Sequence, residues 1–306
     1  MAAIFENRRP LRTDRLSEKD WADLLRQIHK GKCTPFIGPE VCKPIYPTKR
    51  RRARTWAKQE NYPLRDRSEL ASVSRFLAVR DKEIAPINKL IEEFAGNEFC
   101  LDLNNPDEPH RVLAGLPLPV YITTNYDHFM FAALKKSLRD AKSEYCRWRN
   151  RMHDIDDVLT VAPTAANPVV FHLFGHTGKD DSIVLTENDF LKFLANVSRE
   201  PKRIPAVIQG AITGGSLLFL GYRLDEWDFR ILFHTLASYL NSSLSRAHIS
   251  VQLVPVGRTA TSEQIQEAKN FLNLFFEKQD TKVYWGSCQE FVEELRDRWE
   301  GSDYVK

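Results

Sequence analysis

Two short polar clusters hold the residues best able to do chemistry. Tyr121-Ile-Thr-Thr-Asn-Tyr-Asp127 sets an Asn and an Asp two residues apart, and Phe171-His-Leu-Phe-Gly-His176 sets two His around a Gly. Each cluster follows an apolar run, Leu118-Pro-Val-Tyr-Ile122 and Val169-Val-Phe171, that reads as a buried strand. Open α/β sheets bind their ligands in the crevice outside the carboxyl ends of the strands. Asn125 can donate to and accept from a ribose hydroxyl, or hold a water. A neutral imidazole, His172 or His176, can take a proton from either. The combination points to a nucleotide-ribose site.

Each of these residues also has a plainer reading. Thr124-Asn-Tyr-Asp127 can be an Asx turn followed by a helix N-cap, with Asp127 as the cap. A His at a strand end is commonly structural, although two beside Gly175, which permits close approach, lean toward a site. Phe36-Ile-Gly38 ends an earlier strand, where a dinucleotide fold sets a glycine turn against pyrophosphate. No G-x-G-x-x-G accompanies it, so a simple turn fits equally. In Leu220-Gly-Tyr-Arg-Leu-Asp-Glu-Trp-Asp228, Gly221 can admit a ligand, Arg223 can pair with charge, and Asp225 reads as an N-cap. Lys49-Arg-Arg-Arg-Ala-Arg54 reads as a solvated loop, with phosphate binding as its alternative.

The elements that must position these groups alternate. Ser17-Glu-Lys-Asp20 opens an amphipathic helix with Trp21, Leu24, Leu25 and Ile28 on one face and Gly31 as its stop. A strand follows at 33–38, then a basic loop over 43–67 marked by Pro44, Pro47 and Pro63, then helices at 68–77 and 84–94. A strand at 118–123 leads to a helix at 127–138. Residues 139–166 carry no clear period. A strand at 168–174, a strand or turn at 182–186 and a helix at 187–194 come next. Strands at 216–221, 248–254 and 281–285 are interleaved with helices at 227–239 and 262–276, and a helix at 289–299 closes the chain. This alternation predicts a doubly wound parallel sheet of the α/β class. One domain over 17–300 is expected, with a helical insert within 43–115 or 139–166 and an N-terminal extension at 1–16.

The 306 residues are 42% hydrophobic and 28% charged with a formal net charge of +3, an ordinary globular balance that does not announce a nucleic-acid protein. Cys33, Cys42, Cys100, Cys146 and Cys288 are odd in number and contain no C-x-x-C pair. That argues against a disulfide framework or a zinc site and fits a reducing cytosol. No apolar run approaches the roughly 18–20 residues a bilayer span requires, and Met1-Ala-Ala-Ile-Phe5 is short for a leader. A cytoplasmic protein without metal is the expectation.

In this order, Thr-Thr-Asn-Tyr-Asp at 123–127, His-Leu-Phe-Gly-His at 172–176 leading into Ile-Val-Leu-Thr-Glu-Asn-Asp-Phe at 183–190, Phe-Leu-Gly-Tyr-Arg-Leu-Asp-Glu-Trp-Asp-Phe at 219–229 and Val-Tyr-Trp-Gly-Ser at 283–287 resemble the sirtuin-like family. The likeness covers nearly all of 17–300 and is greater to the bacterial defence-associated branch than to the deacetylases. It implies a Rossmann-like NAD-binding domain. Asn125 would orient the nicotinamide ribose or an attacking water, Asp127 would hold the pocket, and His172 or His176 would act as base. Gly38, Pro39, Glu40, Thr124, Gly175, Gly221 and Tyr222 fall on the cofactor-binding positions. Gly38-Pro-Glu40 stands where the family has Gly-Ala-Gly, and Phe174 stands where the family's His precedes the Gly; His172 ranks ahead of His176. The paired C-x-x-C zinc module of the deacylases is absent.

The resemblance therefore implies an NAD glycohydrolase releasing nicotinamide and ADP-ribose, with water as acceptor, that depletes NAD in anti-phage defence. It also implies control by a homo-oligomer or by a partner: an ATPase, a nucleotide sensor or an Argonaute-like protein. The alternative is a non-catalytic NAD- or ADP-ribose-binding scaffold subunit, supported by Gly38-Pro-Glu40 and Phe174. Direct binding of nucleic acid through Lys49–Arg54 ranks below both. Trp56, Trp227 and Trp285 can serve core or interface.

Overall fold

Apolar residues on both sides of most strands build two buried faces, which is what a sheet covered by helices on both sides requires. The computed structural model describes residues 15–97, 99–150, 159, 161–223, 229, 248–252, 260–278 and 280–305. Its strands are β1 (Cys33–Ile37), β2 (Val120–Thr123), β3 (Lys142–Tyr145), β4 (Val169–His172), β5 (Ser216–Leu220), β6 (His248–Gln252) and β7 (Thr281–Trp285). They form one seven-stranded sheet in the order β3-β4-β2-β1-β5-β6-β7, every pairing parallel. Phe36, Ile122, Phe171, Phe219 and Trp285 face one core. Their strand neighbours Ile37, Tyr121, Val170, Leu220 and Tyr284 face the other.

Helices cover both faces. The first core takes Trp56 from α2 (Lys49–Gln59), Val73 and Leu77 from α3 (Leu70–Arg80) and Leu90 from α4 (Ala85–Gly96). The second takes Trp21, Leu24 and Ile28 from α1 (Glu18–His29), Leu113 from α5 (Pro109–Ala114) and Leu134 from α6 (Phe129–Lys136). Further along, α7 (Glu187–Arg199), α8 (Ala206–Gly214) and α9 (Ser262–Glu277) join the first layer, and α10 (Cys288–Glu300) joins the second. Capping boxes start α1 at Ser17 and Asp20, α7 at Thr186 and Asp189, and α10 at Ser287 and Glu290. The α/β class and the doubly wound parallel sheet are as expected, and α2 to α5 lie between β1 and β2.

Three expectations change. The loop foreseen over 43–67 contains α2, and Lys49–Arg54 is helical. Thr48 caps it, and Arg52, Ala53, Trp56 and Ala57 recur at helical spacing on its buried side. Arg52 is 3% exposed; its Nε donates to Glu93 Oε1 at 3.0 Å, and its guanidinium lies 5.3 Å from the Phe94 ring centroid. The strand foreseen at 168–174 ends at His172, so Leu173 and Phe174 belong to a turn and do not continue the alternation. Ser182 ends a 3-10 turn and 183–186 continue without regular structure into α7, and β3, a polar edge strand, occupies part of the segment that had no period. Trp56 and Trp285 are core residues. The helix expected at 227–239 lies outside the described residues except for Phe229, and Asp225, Trp227 and the end of the strand expected at 248–254 lie outside them too.

Glu93 is the counter-charge of a buried guanidinium and also accepts from Trp56 Nε1 at 3.1 Å. Glu93→Ala should lower unfolding stability by about 3 kcal/mol in urea denaturation, because it leaves Arg52 buried without its partner. Arg54→Ala, on the exposed side of α2, should change it by less than about 0.5 kcal/mol. Equal, small effects would mean that the basic segment is a solvated loop.

Candidate active site

Parallel register brings four strand ends to one edge. Ile37 lies level with Thr123 and with Leu220, and Thr123 lies level with His172. The chain leaves β1 toward β2 and returns to its other side at β5, so β1 and β5 flank the switch point where doubly wound sheets open a crevice. Gly38, Thr124, Leu173 and Gly221 therefore begin loops on the same rim.

On the β2 loop, the Asn125 amide is held by its donors. Nδ2 donates to Gly38 O at 3.2 Å and to Cys42 Sγ at 3.4 Å. The backbone N–H of Asn125 donates to Thr123 Oγ1 at 3.0 Å. These acceptors assign the amide orientation, since the opposite one would set Oδ1 against a carbonyl oxygen. Oδ1 is then buried with no partner among the described residues. Asp127 keeps the Asx turn expected of it but not the cap, since the N-cap of α6 is His128. Its Oδ1 accepts from Phe129 N–H at 2.9 Å in an Asx turn before α6, and its Oδ2 accepts from Tyr46 Oη at 2.7 Å and from Cys42 Sγ at 3.6 Å. Burial first, and Asp127 second, push the Cys42 thiol and the Tyr46 phenol well above their usual values, so both stay protonated donors.

The end of β4 and the turn after it supply the imidazoles, and a third joins them. Ring centroids lie 4.8 Å apart for His172 and His176, 4.5 Å for His128 and His176, and 5.5 Å for His128 and His172. His172 Nδ1 is 3.5 Å from the carbonyl oxygen of Asn125. A carbonyl only accepts, so Nδ1 carries the proton and Nε2 is a bare acceptor; it too is buried without a partner among the described residues. His176 Nδ1 accepts from Gly178 N–H at 3.1 Å, which places its proton on Nε2. Burial lowers His172 from 6.5 to about 3, helped by His176 and His128. Burial lowers His176 to about 4, helped by His128 and Lys179. All three rings are neutral at pH 7, since His128 is also lowered by burial.

Two glycines shape the rim. Gly175 has φ +78°, and a Cβ there would fall 2.3 Å from the Ser182 carbonyl carbon. Gly221 has φ +75°, and a Cβ there would fall 2.6 Å from Val41 Cγ2. The loops after β1 and β5 thus pack on each other. Gly38 N–H donates to Leu220 O at 2.8 Å, Glu40 N–H to Gly221 O at 3.0 Å and Val41 N–H to Gly38 O at 3.3 Å. Pro39 has no N–H. Every amide of residues 38–41 that could cradle a pyrophosphate is therefore engaged within the protein.

A cavity of about 550 Å³ opens beside this rim, walled by Glu40, Gly221 and Tyr222, by Asp102 and Glu108, and by Ser287 and Cys288 at the start of α10. Asn125, Asp127, His172, His176, Thr124 and Gly175 do not line it. The two regions share a wall. Tyr222 Oη donates to Ile37 O at 3.3 Å and can accept from Thr124 Oγ1 at 3.1 Å. Sequence reasoning missed His128, Cys42, Tyr46, Glu108 and His110. Only His128 had a signal, since it directly follows Asp127. No group of three His, Cys, Asp or Glu placed to hold a metal occurs among the described residues. No helix among them is long and apolar enough to cross a membrane.

Residues 119–275, just over half of the chain, match the SIR2-like domain family. Over 140 residues the chain is 27% identical to the NAD(+) hydrolase ThsA of Enterococcus faecium. That likeness covers 46% of this chain and 26% of the relative, so the chain matches about a quarter of that protein's length. The family segment holds β2, β4, β5 and β6 together with Asn125, Asp127, His172, His176 and Gly221; Gly38 precedes it. With the parallel sheet, the Thr-Thr-Asn-Tyr-Asp loop and the histidine-bearing strand all inside or built around that segment, the chain belongs to the SIR2-like family.

Proposed function

We propose that this chain is an NAD glycohydrolase that cleaves the nicotinamide–ribose bond with water. The observation that carries the reading is the pair of buried acceptors without partners among the described residues, Asn125 Oδ1 just past β2 and His172 Nε2 on the last residue of the adjacent β4. Buried acceptors without partners destabilise the protein unless a ligand supplies donors. Ribose hydroxyls and water are such donors. The likeness to an NAD(+) hydrolase supports the same choice of substrate.

In the reaction, the C1′–N bond breaks and its electron pair leaves with nicotinamide, whose ring nitrogen loses its positive charge. Water adds to C1′, and its proton passes to His172 or to solvent, giving ADP-ribose. A cationic leaving group needs no acid to protonate it. Water adding to an oxocarbenium-like centre needs only a weak base, which suits an imidazole held at about 3. Asn125 and His172 act chiefly by orienting hydroxyls and water, and Asp127 holds the loop that carries Asn125. NAD depletion would be the output in anti-phage defence, held latent until the chain assembles or meets a partner, because uncontrolled hydrolysis is toxic.

One observation favours a second reading. Phe174 stands where the family's His precedes Gly175, which fits a binding subunit that takes ADP-ribose or NAD without turnover, while the engaged amides of 38–41 weigh against pyrophosphate binding in either reading. NAD titration by calorimetry beside an activity assay separates the two.

Nicotinamide and ADP-ribose release followed by chromatography should fall about 100- to 1,000-fold in Asn125→Ala, the loss expected when a fixed polar group at the reacting centre is removed. His172→Ala should fall more than His176→Ala. Undiminished turnover in Asn125→Ala would sink the assignment. The rate should also show no histidine limb near 6.5, because the rings stay neutral down to about pH 5; an acid limb centred at 6.5 would contradict their burial. For stability, the unfolded chain protonates these rings below 6.5 while the folded one resists down to about 3 and 4. Unfolding free energy should therefore be full above 6.5 and decline as pH falls toward 4, less steeply in His172→Gln.

A further inference from the structure

A second line of buried polar groups ends on Asn125 from the side away from His172. Glu108, the residue before α5, accepts from His110 Nδ1 at 2.8 Å through Oε1 and from Arg111 N–H at 2.8 Å through Oε2. His110 Nε2 lies 3.9 Å from Cys42 Sγ, and Cys42 Sγ lies 3.4 Å from Asn125 Nδ2 and 3.6 Å from Asp127 Oδ2. Cys42 is 0%, His110 1%, Asn125 4% and Glu108 7% exposed, so none of these groups falls back on bulk water. The residues come from three separate segments, the turn after β1, the start of α5 and the β2 loop. An apolar contact would hold those segments together without the cost of burying a carboxylate and an imidazole.

The proton count of the line leaves two places for the thiol proton, with the same consequence for Asn125. Glu108 takes the proton of His110 Nδ1. The thiol has a single proton, which goes either to His110 Nε2 or to Asp127 Oδ2. In both cases a sulfur lone pair remains to accept from Asn125 Nδ2. With its second amide proton on Gly38 O, the Asn125 amide cannot rotate, and Oδ1 stays a buried acceptor with no partner among the described residues. Removing the sulfur leaves one of the two amide protons buried without an acceptor, and the orientation is no longer unique.

We propose that Glu108, His110 and Cys42 form a positioning relay that locks the Asn125 amide with Oδ1 presented to the substrate. The catalytic part of the inference rests on the hydrolase reading; the locked amide does not. Cys42 touches no reacting atom and acts through Asn125. Glu108 also borders the cavity, so the relay joins that cavity to the amide through the wall between them.

The test uses the full chain as wild type, Cys42→Ser, Cys42→Ala and His110→Phe, with kcat and KM for NAD measured separately. Cys42→Ala and His110→Phe should lower kcat about 10- to 100-fold, the effect of misplacing a reacting group by a fraction of its reach, with KM within about twofold. Cys42→Ser, which restores an acceptor, should recover most of the rate. Unchanged kcat in Cys42→Ala, or a loss confined to KM, would overturn the relay. Should Cys42→Ala fail to fold, Cys42→Val keeps the volume while removing the acceptor. The side-chain amide of Asn125 in 15N-asparagine-labelled protein, identified by its loss in Asn125→Asp, gives a readout apart from turnover. It should show a slowly exchanging, fixed pair in the wild type and fast exchange in Cys42→Ala. If the wild type does not hydrolyse NAD, the hydrolase reading fails alone, and this amide signal decides the relay: unchanged exchange in Cys42→Ala and Cys42→Val overturns it.

Discussion

The parallel register of β1 with β2 and β5 is the constraint from which the site follows. It sets Ile37, Thr123 and Leu220 at one level, so the three loops that follow must leave the sheet at the same rim. Two of those loops, at Gly38 and Gly221, approach so closely that neither tolerates a Cβ. The third folds over them, and the Asn125 amide reaches back to the Gly38 carbonyl. A shift of one residue in any of these pairings would exchange the side chains that face the two cores and move the loop the strand carries. Packing of the sheet and geometry of the rim are therefore one problem, solved by the same side chains.

The chemistry at the rim has a single sign. Asn125 Oδ1 and His172 Nε2 are acceptors, the imidazoles are uncharged, and Cys42 and Tyr46 keep their protons. Such a place favours neutral donors over anions. The neighbouring cavity continues the preference, since Glu40, Asp102 and Glu108 share its wall with Lys43 and Arg223. Lys43 is paired with Glu40 at 3.5 Å.

Much of this was legible in residue order, for identifiable reasons. Runs such as Val169-Val-Phe171 and Ser216-Leu-Leu-Phe-Leu220 are buried on both faces, and the polar residues after them stand out by contrast. Asn125 and His172 were singled out that way. Phe174 misled as a strand position because an apolar residue after His172 looks the same in a strand and in a turn; the positive φ of Gly175 decides the matter, and periodicity does not report it. The basic segment misled in the opposite direction. Six cations within Lys49–Gln59 hide the buried face of Ala53, Trp56 and Ala57, and nothing local announces that Glu93, 41 positions away, will neutralise Arg52. Cys42, His110 and Glu108 had no signal at all, since their meeting depends on where the turn after β1 lies against α5.

The charge arrangement of α2 bears on what that helix depends on. Its first turn holds Lys49, Arg50 and Arg51 and no acid, so cations sit at the end of the helix where the backbone dipole is positive. In isolation that end opposes itself, and an eleven-residue helix is marginal even without the penalty. Its stability draws instead on tertiary contacts, the pairing of Arg52 with Glu93 of α4 and the packing of Trp56 beside α3. Tyr46, just before it, donates to Asp127. The loop that carries Asn125 is thereby tied to a segment whose order is borrowed from its neighbours.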